Sequence, residues 1–174
     1  IMITYNPAFD LYHCMFRMAH ILQKLDDGNP FEVNKVRIWD FYLLFPSKVY
    51  DITLHQEETD LIKARKEYIK KTDNPYEYSG DNRKLFEWIR PFQVSALNCL
   101  VSCGILGRDD YLNNKVCVIN HKELDKFVEE SGELTNREKN VLAFMGLLSR
   151  NMPLTGARGL KARTHLLEFR YDAK

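Results

Sequence analysis

The chain has 174 residues, of which 45% are hydrophobic and 28% are charged, and its formal net charge is +1. This length predicts one compact domain, and an aromatic content of 12% argues against intrinsic disorder. The sequence has no run of about 18 apolar residues that would predict a transmembrane helix and no signal-peptide pattern at its start. Its balanced charge excludes a strong overall field for nucleic acid, although local basic patches remain possible. We therefore expect a cytoplasmic, globular protein without membrane contact.

The N-terminal segment, residues 1–45, predicts a pair of helices. Asn6 and Pro7 are typical of a helix start, and the apolar spacing then predicts a helix over Phe9–Leu25. A second helix is predicted over Phe31–Phe45. It is apolar nearly all round, so it lies either at the centre of a core or against a partner, and we favour the core.

One carboxylate stands out in the second helix because its neighbours are apolar. A buried Asp40 needs a partner for its charge. Arg37 lies three residues earlier, which is a spacing that brings helical side chains together. The sequence thus predicts a stabilising ion pair between these two residues.

Residues 46–82 form a charged insertion. We predict an extended piece around Val49–Leu54, an exposed helix around Thr59–Lys70 and a loop that continues to Asn82. The cations of the helix have two interpretations: contact with nucleic acid or an acidic partner, or a solvated helix face, which we favour. They are Lys63, Arg65, Lys66, Lys70 and Lys71.

Residues 83–120 resemble a winged helix-turn-helix. A short helix closes at Arg90-Pro91, a second helix follows over Phe92–Cys103, and a ribbon ends with a strand over Lys115–Ile119. The second helix offers polar residues but no cation to DNA, so we favour protein contact over base readout. Those polar residues are Gln93, Ser95, Asn98 and Ser102.

The last segment, residues 121–174, predicts two helices and a basic tail. One helix is expected over His121–Glu130. Thr135 and Glu138 have the spacing of a capping box, which opens the second helix. The tail contains a possible strand or helix over Thr164–Tyr171. Its cations Arg158, Lys161 and Arg163 are further candidates for phosphate contact.

The fold class expected from these elements is mainly α with a small β-wing, as a winged helix-turn-helix core with additional helices. We expect one domain over residues 1–174. Aromatic residues are enriched among the anchors of protein interfaces. The candidate interaction residues on that ground are Trp39, Phe41, Tyr42, Phe86, Trp88 and Phe92.

Few residues suggest chemistry. The sequence lacks the motifs of common hydrolases, kinases, dinucleotide-binding proteins and metalloproteases. Cys99 and Cys103 share a helix face, but no further pair of ligands completes a metal site. Cys14 and Cys117 are read, like them, as apolar residues in a reducing compartment. We expect no catalytic residue, no metal and no cofactor.

Three stretches together resemble a known family. They are "ITYNPAFDLYHCMFRM", "KVRIWDFYLLFPSKVYDI" and "RKLFEWIRPFQVSALNCLVSCGIL". They resemble the middle component of bacterial ABC-three-component systems, a group that includes the small accessory subunit of Lamassu-type antiphage defence. The resemblance extends over nearly the whole chain, from about Tyr5 to Tyr171.

The resemblance implies a non-enzymatic adaptor. The family works beside an SMC-like ABC ATPase dimer, which senses foreign or damaged DNA, and an effector that is often a nuclease. The middle component bridges the two and holds the effector inactive, so DNA is reached through the complex rather than directly. The alternative is a winged-helix DNA-binding transcriptional regulator.

Overall fold

The computed structural model describes residues 6–71, 80–149 and 152–168. Most of these residues are helical, with one small sheet, so the expectation of a mainly α fold is confirmed. The helices are α1 (Leu11–Leu25), α2 (Val33–Leu44), α3 (Thr59–Tyr68), α4 (Asn82–Ser102), α5 (Arg108–Leu112), α6 (His121–Ser131), α7 (Asn136–Ser149) and α8 (Leu160–Thr164). Short 3₁₀ helices occupy Pro7–Phe9 and Pro46–Asp51. None of these helices is long and apolar enough to cross a membrane.

The chain divides into two compact units. The first unit comprises residues 1–40 and 87–133, and the second comprises residues 41–86 and 134–174. The boundaries fall inside α2 and α4, and they do not coincide with the segments 1–45, 46–82, 83–120 and 121–174. The difference arises because the helices pack against partners that are distant in sequence: α1 packs against α6, and α3 packs against α7.

The first α-helix begins at Leu11 instead of Phe9, because two capping residues precede it. Asn6 accepts a hydrogen bond from Ala8 N and caps the 3₁₀ helix. Asp10 then caps α1, because its carboxylate accepts a hydrogen bond of 2.9 Å from His13 N. Two successive caps therefore separate the 3₁₀ helix, which ends at Phe9, from α1.

The second helix confirms the expected core position. Phe31 and Glu32 form the strand β1, and α2 begins at Val33. From Val36 to Leu43 every residue is buried. Because α2 is apolar nearly all round, it fits only where protein surrounds it.

A single helix replaces the predicted helix-turn-helix. Residues 82–102 form α4 without a break, with Pro91 inside it. A proline in a helix interior removes one hydrogen bond and costs about 3 kcal/mol. The apolar positions Phe86, Ile89, Ala96 and Leu100 continue across it with helical spacing and are all buried. Burial of these apolar side chains outweighs the cost of placing Pro91 inside the helix. The prediction of two separate helices joined by a tight turn is therefore wrong.

The predicted wing is reduced to a short ribbon. Leu106 and Val118 form an antiparallel bridge, and Gly107 N donates to Cys117 O over 3.0 Å. The turn between them contains α5. The strand β2 covers only Lys115–Val116, and it pairs antiparallel with β1.

The second unit is built on α3 and α7. The predicted exposed helix over Thr59–Lys70 is present as α3. The predicted capping box is confirmed: Thr135 N donates to Glu138 Oε1 over 2.9 Å, and Glu138 N donates to Thr135 Oγ1 over 3.2 Å. The predicted element over Thr164–Tyr171 lies partly outside the described residues. Its described part contains only the last residue of α8.

Candidate interaction surface

Four of the six candidate aromatic residues belong to the core. Trp39, Phe41 and Phe86 are 0% exposed and Tyr42 is 1% exposed. The rings of Phe41 and Phe86 are packed edge to face, with their centroids 5.9 Å apart. These side chains stabilise the fold, and they offer no surface to a partner in this structure.

The two remaining candidates lie at the surface of the first unit. Trp88 is 52% exposed and Phe92 is half-buried. They are four residues apart on α4, which places them on the same helix face. Phe9, which is 42% exposed, packs its ring edge to face against Phe92 at a centroid distance of 5.6 Å. Tyr12, at the start of α1, is 58% exposed.

We call Phe9, Trp88 and Phe92, together with Tyr12, which lies three residues after Phe9, the aromatic surface. Exposed apolar side chains that stand singly are ordinary, but neighbouring large ones with a polar surround are typical of interaction sites. Exposed Glu87 and Arg90 flank Trp88 on α4. Tryptophan and tyrosine are also the residues that dominate binding energy at interfaces. The arrangement is therefore suited to docking a protein.

A buried polar cluster lies among the elements that carry the aromatic surface. Asp40 accepts hydrogen bonds from Arg17 Nε at 2.5 Å and from Gln93 Nε2 at 2.9 Å. All three side chains are at most 4% exposed. Arg37 Nε donates to Gln93 Oε1 at 2.9 Å. We call Arg17, Arg37, Asp40 and Gln93 the Asp40 cluster.

The predicted partner of Asp40 is thus corrected. Asp40 pairs with Arg17, which comes from α1, and Arg37 is linked to Asp40 through Gln93 instead of directly. The reason is that Arg37 also donates to Asn34 Oδ1, one turn earlier on α2. Gln93, which sequence reasoning offered as a base-reading residue, is fully buried and unavailable to DNA.

The Asp40 cluster positions both sides of the aromatic surface. Arg17 Nη1 donates to the carbonyl of Pro7 at 3.3 Å, which holds the 3₁₀ helix that carries Phe9. Gln93 is adjacent to Phe92 on α4. A single buried network therefore fixes the two elements whose rings meet at the surface.

Ionisation in the Asp40 cluster suits a structural role. Burial raises the pKa of the nearby Cys14 thiol far above its usual value, and the charge of Asp40 raises it further. Burial and the charge of Arg90 lower the pKa of Arg37 to about 10, so Arg37 stays protonated at neutral pH. A protonated thiol is a poor nucleophile. Within the described ranges, no group of three or more His, Cys, Asp or Glu side chains is arranged to hold a metal ion.

The candidate phosphate-binding arginines of the second unit have partners within the chain. Arg163 is 4% exposed and forms two hydrogen bonds to the Glu58 carboxylate, at 2.7 and 2.8 Å. Arg158 forms an ion pair with Glu57 at the surface. Arg65 is half-buried and donates to the carbonyl of Ile52 at 3.1 Å.

The candidate lysines are arranged differently. Lys63, Lys66, Lys70 and Lys71 are exposed, and Lys71 Nζ lies 5.7 Å from the centroid of the Tyr50 ring. Lys161 is half-buried on α8. Of the eight candidate cations, the structure thus places Lys63, Lys66, Lys70 and Lys71 at the exposed surface and engages Arg65 and Arg163 in contacts within the second unit.

Comparison with known families decides the identity. A family model for middle component 5 of ABC-three component (ABC-3C) systems matches residues 3–172. The chain belongs to that family. No curated protein and no solved structure matches this middle component. The expected resemblance to an ABC-3C middle component is confirmed, and such a component implies partner proteins.

Sequence reasoning missed half of the aromatic surface. The apolar spacing over Phe9–Leu25 assigns Phe9 and Tyr12 to the apolar face of the predicted first helix. The signal that indicates otherwise is the pair of capping residues, Asn6 and Asp10. Two caps this close together break the helix between them and turn Phe9 away from the buried face of α1.

Proposed function

We propose that this middle component is a non-catalytic adaptor that docks protein partners through the aromatic surface of its first unit. Its partners are an SMC-like ABC ATPase dimer and an effector nuclease, as in Lamassu-type antiphage defence. It bridges the two and restrains the effector until the ATPase senses foreign DNA.

The observation that carries the proposal is the exposed Trp88 and its setting. This ring is half exposed beside Phe92, on a helix that the Asp40 cluster anchors in the core. A rigidly held aromatic side chain loses little conformational entropy on binding, which favours its use as an anchor. Membership of a multi-subunit family supplies the reason for such a surface.

An enzymatic role has no support from the polar residues described above. The buried carboxylate of Asp40 accepts hydrogen bonds from Arg17, Gln93 and the thiol of Cys14, and burial holds that thiol protonated. Both side chains are 0% exposed. We propose that bond-breaking is left to the partners.

The rival function, a winged-helix transcriptional regulator, loses its main support. Residues 82–102 form one helix, and the polar residue Gln93 lies in the core. A recognition helix needs a preceding turn and exposed side chains that reach base edges.

Reconstitution tests the adaptor function. The chain is co-expressed with the ATPase and the effector of its own system, and the purified assembly is assayed for nuclease activity with and without DNA. We expect a ternary complex whose nuclease is silent until DNA is added. An effector that binds the ATPase equally well without this chain, or that stays unrestrained in its presence, contradicts the proposal.

A further inference from the structure

The two units differ in charge, although the whole chain is nearly neutral. The first unit contains 9 Lys and Arg against 13 Asp and Glu, whereas the second contains 16 against 11. The second unit is therefore the basic part of the molecule, with a local field that the overall charge conceals.

Four cations of the second unit are available to an external anion. Lys63 and Lys66 lie three residues apart on α3 and thus share a face. Lys70 follows the end of α3, and Arg137 lies in the first turn of α7. All four are exposed, and none forms a hydrogen bond or ion pair with another residue in the described ranges. We call these four residues the basic face.

A partly open cavity brings two of these cations together. It has a volume of about 340 Å³ and lies between the end of α3 and the start of α7. Among the residues that the structure describes, its polar and charged lining consists of Lys70, Arg137, Asn136, Asn140 and Tyr68, with Glu67 as the one acidic residue. These cationic, amide and phenol groups are the donors that proteins use to hold phosphate oxygens.

We propose that the basic face binds the phosphodiester backbone of a nucleic acid. One phosphate occupies the cavity between Lys70 and Arg137, and the neighbouring phosphates of the strand contact Lys63 and Lys66. Lys63 lies five residues before Tyr68, which is about 8 Å along the axis of α3. Along the axis of a DNA duplex, where each strand advances about 3.4 Å per phosphate, that distance corresponds to the rise of two or three base pairs.

The lining favours nucleic acid over an acidic protein segment. An acidic peptide requires only cations, but the lining of this cavity also includes two asparagines and the half-buried Tyr68, and aromatic residues are the type on which bases stack. The contact extends the function proposed above, because it gives the adaptor its own hold on nucleic acid. It does not depend on the aromatic surface, which lies in the first unit.

Salt-dependent binding of labelled nucleic acid tests the proposal. The purified full chain is titrated against short fluorescent duplex DNA, single-stranded DNA and RNA between about 50 and 200 mM salt. Four phosphate contacts predict a slope of log K against log salt of about −3 to −4. Binding to any of the three probes with such a slope supports the proposal, and the tightest one identifies the source of the phosphates.

Variants locate the contact. K70Q combined with R137Q is expected to weaken binding and to reduce the slope by about 2, since each neutralised contact removes about 1. The matched control, K122Q combined with K126Q on α6 of the first unit, makes the same charge change at exposed positions and should leave the slope unaltered. E67Q removes the carboxylate from the cavity and should tighten binding.

Three results overturn the proposal. They are no salt-dependent binding by the wild-type chain, an unchanged slope in the K70Q/R137Q variant while circular dichroism shows it folded, and displacement of the nucleic acid by polyglutamate at equal charge concentration. The last result would assign the basic face to an acidic protein instead. Loss of binding in K70Q/R137Q with retained assembly of the ternary complex separates this proposal from the adaptor function.

Discussion

Arg17 and Asp40 form an ion pair in the interior of the first unit, with Arg17 Nε 2.5 Å from Asp40 Oδ1. Their side chains are 4% and 0% exposed, so both charges have left water. A buried ion pair of this kind adds little net stability compared with well-packed apolar residues. Removing one partner, however, leaves the other charge buried and unpaired, which is strongly destabilising. The pair connects α1 to α2, and through Pro7 it also holds the turn that carries Phe9.

Replacement of Asp40 by Asn should therefore be costly. The variant leaves Arg17 buried without an anion, and we expect the free energy of unfolding to fall by about 3–5 kcal/mol. Urea denaturation monitored by circular dichroism measures the change. Asp125→Asn is the control, because Asp125 is exposed and only accepts a hydrogen bond from Gln23. It should stay within about 0.5 kcal/mol of wild type, and an equal response of the two variants would contradict a buried pair.

The continuous course of α4 makes an unusual prediction for Pro91. In a helix interior this proline lacks an N–H donor and strains the preceding turn, so Pro91→Ala should raise the free energy of unfolding by about 1–3 kcal/mol. Pro153, which is exposed and outside the helices, serves as the comparison. At this position alanine only increases the conformational entropy of the unfolded chain, so Pro153→Ala should lower the free energy of unfolding by about 0.4–1 kcal/mol. A loss of stability in Pro91→Ala would instead indicate a turn between two helices.

Acid should destabilise the second unit through Glu58. Hydrogen bonds from Arg163 lower the pKa of Glu58 from 4.5 to about 2. Because the pKa of Glu58 is lower in the folded state than in the unfolded state, its ionised carboxylate contributes its full stabilisation above about pH 4.5. This stabilisation is lost as the pH falls towards 2.

Glu58→Gln removes this contribution, so its unfolding free energy should be lower than wild type at neutral pH and should converge with it in acid. The difference is measured by urea denaturation over that pH range. Glu57→Gln is the matched control, since Glu57 pairs with Arg158 at the exposed surface. Its difference from wild type should be small throughout. A constant gap between Glu58→Gln and wild type across the range would show that the carboxylate charge is not responsible.

Local signals allowed part of this fold to be predicted. The capping box at Thr135 and Glu138 depends on residues three apart, so the sequence contains all of it. The core position of α2 follows from apolar residues on every side of the helix. Both features are set by short stretches of chain and need no knowledge of tertiary contacts.

Features that depend on distant partners were not predictable in the same way. Asp40 pairs with Arg17, which is 23 positions away, whereas the local candidate Arg37 turns to Gln93. The helix around Pro91 persists because tertiary burial of its apolar stripe outweighs the local preference for a break. The candidate arginines and lysines of the second unit look alike in sequence. They are separated by partners that tertiary structure supplies, such as the Glu58 carboxylate for Arg163 and the Ile52 carbonyl for Arg65.

The aromatic surface was predictable only in part, for the same reason. Trp39 and Trp88 both stand in aromatic stretches, yet one is 0% and the other 52% exposed. The local sequence indicates that an aromatic residue contributes either to a core or to an interface, without distinguishing the two. The choice between them depends on which face of the helix the rest of the chain covers.

The affinity of this middle component for the ABC ATPase of its own system, compared between Trp88→Ala and wild type, tests the central claim most directly. Calorimetry should show a loss of at least about 2 kcal/mol in binding, or about 30-fold, as expected for an interface anchor. Leu112→Ala, at a residue of the first unit that is 74% exposed, should bind as wild type does. If Trp88→Ala is folded and its affinity equals that of wild type, the aromatic surface is not the docking site and the account is contradicted.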